Sequence, residues 1–429
     1  MRDSHGGHGI SRGNVAVVAL AMVVVVGLLL AFLLLPGQEK PPPRDVSVEV
    51  VAEGLEIPWS LAFSPDGRLF VTERPGRVRV AESGVLVEQP LLIVDVAAEG
   101  EGGLLGMALH PDFSENGYVY LYHTYRDGEN LWNRVQRYRE DGSGLIRDAV
   151  ILESIPGSSV HNGGRLKFGP DDKLYVTTGD ASQPDLAQDL NSLAGKILRL
   201  NPDGSIPDDN PFPGSPVYSY GHRNPQGLDW QQGTGLLFEA EHGPIGHDEV
   251  NMIEPGKNYG WPLAVGQTGD PRFAEPLFET GAGTLAPSGI SFYHGDLLPW
   301  RGVLFVASLR ASRLQMLFLS GDGSPAVDSN EALFQGVYGR LRDVVQGPDG
   351  FLYFSTSNRD GRGTSTPGDD RILRITHASE LEYGISPIQP GRMSPVSTIP
   401  QPTNVPGSYS ELLMAAEAHS WRRTSRATP

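Results

Sequence analysis

The chain has 429 residues, no cysteine and a formal charge of −17. Disulfides and thiolate metal sites are excluded, and no basic face is evident to neutralise nucleic-acid phosphates. With 53 glycines and 35 prolines, turn formers are dense enough to favour many short strands over long helices.

Residues 15–35 form an uncharged apolar run of about the length that spans a bilayer. Arg2 and Arg12 precede it, so positive-inside logic makes residues 1–14 a short cytoplasmic segment and places the rest outside. A cleaved signal peptide, which would leave the protein secreted, has a shorter apolar region ending in a small-x-small site. The following Pro36-Gly-Gln-Glu-Lys40 offers no such site, which favours an uncleaved transmembrane anchor. Residues 36–45, with Lys40-Pro-Pro-Pro-Arg44, read as a stiff Pro-rich linker.

From residue 46 to 377 the chain repeats itself loosely. Leu61-Ala-Phe-Ser-Pro-Asp-Gly-Arg-Leu-Phe-Val-Thr72 resembles Leu166-Lys-Phe-Gly-Pro-Asp-Asp-Lys-Leu-Tyr-Val-Thr177 and Val344-Val-Gln-Gly-Pro-Asp-Gly-Phe-Leu-Tyr-Phe-Ser355. Each reads as a strand, a Pro-Asp turn and a second strand. Weaker copies lie at 107–120, 228–238 and 290–306, making six units spaced about 45 to 60 residues apart. One such unit cannot bury both its faces, so stacking around a ring is the physical solution. The expectation is an all-β fold, a six-bladed β-propeller over residues 46–377, preceded by a single N-terminal transmembrane helix. Residues 378–429 are Ser-, Pro- and Thr-rich and are expected to be disordered.

The residues with chemical potential fall mostly between the repeat strands. His161, in a polar Gly-rich loop, can accept a proton near neutral pH, and Asp180 in Thr178-Gly-Asp180 is suited to orient it. Tyr220-Gly-His-Arg-Asn-Pro-Gln-Gly-Leu228 offers a fixed cation, Arg223, and an amide, Asn224. Gly243-Pro244 and Asp248-Glu249 offer hard oxygen ligands suited to calcium. Arg340 and Arg342, spaced i and i+2, would share one side of a strand and suit an anionic ligand. Read singly, these residues are as readily a loop histidine, a turn aspartate, a bracing arginine, surface ion pairs and a solvated acidic pair.

Together, and in this order, they resemble the soluble PQQ-dependent sugar dehydrogenases, a β-propeller family. Gly102-Gly-Leu-Leu-Gly106, Val160-His-Asn-Gly-Gly-Arg-Leu166, Asn258-Tyr-Gly-Trp-Pro262 and Arg340-Leu-Arg-Asp343 extend the resemblance. It implies that His161 is the general base for the sugar hydroxyl, that Arg223 faces the quinone carbonyl and that Asn224 hydrogen-bonds the cofactor. It also implies that Arg310, standing where relatives often carry lysine, joins Arg340 and Arg342 on the cofactor's carboxylates, with Thr284 in contact. Gly243 and Pro244 would give carbonyls to a Ca²⁺ that also binds the cofactor; Asp248, Glu249 and the Tyr259 carbonyl would hold a second, structural ion. Glu101 departs from the family's glutamine near the substrate. The implied activity is a membrane-anchored, PQQ- and Ca²⁺-dependent oxidation of an aldose to its lactone, with an external electron acceptor. A calcium-dependent lactonase and a non-catalytic recognition propeller stay open as alternatives.

Overall fold

The Pro-Asp turns of the repeat close strand pairs of one geometry. Gly67, Asp172 and Gly350 occupy equivalent turn positions at φ of +87°, +58° and +83°. Each donates its N–H to the carbonyl three residues earlier, at 2.9, 3.0 and 3.0 Å. Two copies place glycine at this left-handed position, and the third uses aspartate, which tolerates it.

The structure, a computed structural model, describes residues 46–82, 84–320 and 325–377. These form 25 strands, β1–β25 in chain order, arranged in six antiparallel sheets. Five sheets take consecutive strands: β2–β6 (58–93), β7–β10 (104–156), β11–β14 (166–220), β15–β18 (225–279) and β19–β22 (287–333). The sixth combines β23–β25 (341–377) with β1 (Val46–Ala52), which pairs antiparallel to β25 (Ile372–His377). The two ends of the domain thus share one blade, which closes the ring.

The innermost strands are β2 (Pro58–Phe63), β7 (Leu104–Leu109), β11 (Leu166–Phe168), β15 (Pro225–Trp230), β19 (Pro287–Phe292) and β23 (Leu341–Gln346). Each touches the next, and β23 returns to β2. Second strands such as β3 (Leu69–Glu73), β12 (Leu174–Thr178), β16 (Leu237–Glu241) and β20 (Leu304–Ser308) are buried at every position. They are covered on both faces by neighbouring blades, so their sequences do not alternate. By contrast, the outer strand β22 (Val327–Leu333) is exposed over most of its length. The expected anchor at 15–35, linker at 36–45 and tail at 378–429 lie outside the described residues. Among the described residues no helix is long and apolar enough to cross a membrane.

The shared blade makes a stability prediction. A chain starting at Asp45 is expected to fold and close. One starting at Gly54 loses six backbone partners of β25, and at about 1 kcal/mol per hydrogen bond should be less stable by several kcal/mol. Equal urea midpoints for the two truncations would show that β1 does not close the ring.

Candidate active site

The inner strands run from one end of the channel to the other. The residues just before them, among them Glu101, His161, Arg223, Ala286 and Arg340, line a cavity of about 1180 Å³ at the starting end. The Pro-Asp turns, including Pro65 and Pro348, rim a second hollow to which none of the candidate residues contributes.

His161 sits in the left-handed region at φ +59°, a conformation costly for a residue with a Cβ. Two carboxylates hold it there. Its backbone N–H donates to Glu101 Oε2 at 3.1 Å, and its Nδ1 meets Asp180 Oδ1 at 2.8 Å. With Nδ1 engaged, Nε2 is left for the cavity that His161 lines. Asp180 is fully buried, and its Oδ2 accepts the indole N–H of Trp261 at 2.8 Å. The Asp180 backbone N–H donates to the Arg223 carbonyl at 2.8 Å, tying the proton-accepting pair to the Arg223–Asn224 turn.

That turn is itself fastened from behind. Glu241 Oε2 accepts the backbone N–H groups of Arg223 (2.6 Å) and Asn224 (3.4 Å), while Glu241 Oε1 meets His222 Nδ1 at 3.0 Å. Asn224 Oδ1 accepts the Gly163 N–H, but its Nδ2 is buried without a partner. Arg223 Nε and Arg342 Nε are buried and unpartnered as well. All three orphaned groups are donors, so what they lack is an acceptor.

The cavity wall is strongly cationic. Seven arginines (74, 223, 310, 340, 342, 362 and 371) face four carboxylates (Glu101, Asp248, Asp360 and Asp369), leaving three positive charges in excess. Arg340 and Arg342 converge on Asp360, at 2.8 and 3.8 Å. Arg342 is buried, and that burial pushes its guanidinium down to about 9. Arg310 is exposed on the wall. Thr284 donates its hydroxyl to Asp248 Oδ2 at 2.8 Å.

Asp248 and Glu249, adjacent in sequence, do not converge. Asp248 serves the large cavity: its carboxylate accepts the N–H groups of Gly243, Leu285 and Ala286 and so shapes the loops beside Gly243 and Pro244. A Cβ on Gly243 would fall 2.0 Å from the Gly246 carbonyl oxygen, so only glycine fits there. Glu249 opens β17 (Glu249–Ile253) and lines a separate small pocket with Tyr259 and Glu241. Consecutive residues of an extended chain point to opposite sides, which parts the pair. Burial, with Glu241 beside it, pushes Glu249 up to about 8. Ligand atoms of His222, Glu239 and Glu241 also lie within 4.8 Å of one another, all buried. The region therefore concentrates carboxylates that only protons or a cation can neutralise.

Several wall residues carry no signal in the sequence. Asp360, Arg362 and Arg74 belong to no motif. His242 lies beside a quoted motif and Trp261 within one, yet no role attaches to either until the ring closes. Arg362 reaches across the mouth to donate to Glu101 Oε1 at 2.7 Å. Burial opposes ionisation of Glu101, but the charges of His242 and Arg362 and the His161 N–H outweigh it and hold the carboxyl down at about 2. A depressed folded-state value contributes stability that is complete above the ordinary 4.5 and lost as pH falls towards 2. Glu101→Gln keeps an oxygen for the His161 N–H but loses the ion pair. The stability gap between wild type and this variant should narrow as pH falls from 4.5 to 2. A gap constant across that window in urea melts would refute the assignment.

Comparison with known proteins places this geometry. The family model described as Glucose / Sorbosone dehydrogenase matches residues 55–373. The chain is similar to the aldose sugar dehydrogenase YliI of Escherichia coli, at 36% identity over 74% of this chain and 92% of that protein. It is also similar in structure to a putative oxidoreductase (glucose dehydrogenase) of Thermus thermophilus, at 50% identity and TM-score 0.72 over 77% of this chain and 99% of that one. The PQQ-bound aldose sugar dehydrogenase of Streptomyces coelicolor gives 42% identity and TM-score 0.70 over 78% and 99%.

Proposed function

The chain belongs to the Glucose / Sorbosone dehydrogenase family, and on that premise we propose that it oxidises an aldose at the anomeric carbon to the lactone; bound PQQ would supply the hydride acceptor. The reading is carried by one observation: His161, backed by the buried Asp180, and the cationic wall line the same cavity. His161 Nε2 removes the proton of the anomeric hydroxyl, while Asp180 at Nδ1 holds the ring and stabilises the imidazolium. Arg223 presents a fixed positive charge where negative charge develops. Arg310, Arg340 and Arg342 grip carboxylates, and the wall's excess of three charges equals the three carboxylates of PQQ. Asn224 Nδ2 and the Nε atoms of Arg223 and Arg342 are donors in need of acceptors, as a quinone with carboxylates would supply. Glu101 accepts sugar hydroxyls at the mouth.

Calcium is part of the proposal. An ion held by the Gly243 and Pro244 carbonyls would supply Lewis-acid polarisation. A second, at Glu249 and the Tyr259 carbonyl, would offset the buried carboxylates, whose crowding supports it. We also propose that residues 15–35 anchor the enzyme with the propeller outside the cytoplasm, and that an external acceptor collects the electrons.

The test is a titration of apoprotein with PQQ in the presence and absence of Ca²⁺, followed by aldose and a dye acceptor. Saturable, Ca²⁺-dependent binding and aldose-dependent dye reduction are expected. Failure to bind PQQ would overturn the reading, and lactone hydrolysis would then be the activity to assay. Membrane fractionation checks the anchor: a soluble native protein with a new N-terminus after Leu35 would show cleavage.

A further inference from the structure

Trp261 stands between two parts of the site that the reaction uses separately. On one side its indole N–H donates to Asp180 Oδ2 at 2.8 Å, while Asp180 Oδ1 meets His161 Nδ1 at 2.8 Å. On the other side the Arg223 guanidinium carbon lies 5.3 Å from the centre of its ring, within cation–π range. The indole is held in this place by its own backbone. The Trp261 N–H donates to the Gly221 carbonyl at 2.9 Å, two residues before Arg223, and the Trp261 carbonyl accepts Gln188 Nε2 at 2.6 Å. Gln188 is in turn paired in both directions with Asn258.

We infer that Trp261 is a positioning residue that sets the proton acceptor and the cation at the hydride-accepting position in one frame, acting through Asp180 on His161 and through its ring face on Arg223. Asp180 is fully buried, so removing the indole N–H strands a buried carboxylate oxygen. The carboxylate then turns to find another donor, and His161 turns with it. Loss of the ring face frees Arg223, whose Nη1 otherwise has only the His242 carbonyl, at 3.2 Å. Small displacements of this kind cost rate, because the reacting groups must be held in alignment.

The inference rests on the dehydrogenase reading, and the experiment separates the two. Trp261→Phe removes the donor and keeps a ring; Trp261→Leu removes both; Trp261→His keeps a ring nitrogen near the indole nitrogen's place. Turnover at saturating PQQ is expected to fall roughly tenfold for Phe, further for Leu and less for His. PQQ affinity should stay near wild type for Phe and weaken for Leu. In the Asp180→Asn background, Trp261→Phe should cost nothing more, since it acts through that carboxylate. A readout independent of turnover is the indole N–H spectrum of the ¹⁵N-labelled apoprotein, which contains six tryptophans. The resonance lost in Trp261→Phe should be the one that moves in Asp180→Asn. Wild-type turnover in Trp261→Phe, full multiplicative losses in the double variant, or an unmoved indole resonance would each overturn the inference. A wild-type protein that binds no PQQ would instead overturn the dehydrogenase reading, and the indole spectrum would still decide the contact.

Discussion

Replacing His161 by alanine is expected to cut turnover by about a hundred- to ten-thousand-fold, the range typical for losing a general base, with PQQ affinity within about threefold of wild type. The selectivity follows from geometry. His161 enters the cavity from the loop before β11, whereas Arg340 and Arg342 approach from the loop and strand start at β23. Its polar partners are Glu101 and Ala181, at the backbone, and Asp180, at Nδ1. None of these hydrogen-bonds Arg340 or Arg342. Folding needs its own control, because position 161 has φ +59° and alanine gains nothing there. Asparagine tolerates the left-handed region better but cannot serve as a base of the right strength. His161→Asn should therefore melt close to wild type and be as inactive as the alanine variant. Near-wild-type turnover in either one, at saturating PQQ and Ca²⁺, would remove His161 from the role of proton acceptor.

The architecture was legible because its unit is local. The turn at Pro65-Asp66-Gly67 and its copies at Asp172 and Gly350 is written in four or five consecutive residues, and the structure repeats it with the same hydrogen bond. The His161–Asp180 contact was also within reach, since both residues flank the strand pair β11–β12. What could not be read arises from closing the ring. Glu101 and Arg362 are 261 residues apart and meet only because ring closure brings the loop before β7 to the loop between β24 and β25. Asp360 shares no motif with the arginines it pairs, and Trp261 reaches Asp180 across 81 residues. Asp248 and Glu249 are the opposite case: the resemblance puts them in one ligand set, and strand geometry lines different pockets with the two carboxylates. The missed residues are long-range partners, whose positions no sequence spacing encodes.

Arg342→Ala is expected to weaken PQQ binding by about 2–5 kcal/mol, the cost of removing one member of a desolvated charged pair. That is roughly thirty- to several-thousand-fold in dissociation constant. Arg342 is the arginine of the wall with the least freedom. It is 5% exposed, its Nη1 donates to Gln226 Oε1 at 2.8 Å and to Ser288 Oγ at 3.4 Å, and its guanidinium carbon lies 5.8 Å from the centre of the Trp59 ring. A guanidinium so held meets a carboxylate with little further ordering. Lysine should not rescue it, because one ammonium cannot engage Gln226, Ser288 and Asp360 while also offering a planar fork. Arg340→Ala should weaken binding as well, but less, since Arg340 spends its Nε on Asp360 at 2.8 Å and its Nη1 on the Leu309 carbonyl at 3.3 Å. Asp360→Asn supplies the contrary case: it frees both arginines from a competing carboxylate and is expected to tighten binding. Calorimetric titration of the four apoproteins against wild type measures the series, and turnover at saturating PQQ should vary little across it. If the Arg342→Ala titration overlays the wild type, or if Asp360→Asn weakens binding as much as Arg342→Ala does, the arginine pair braces the loop and does not hold the cofactor.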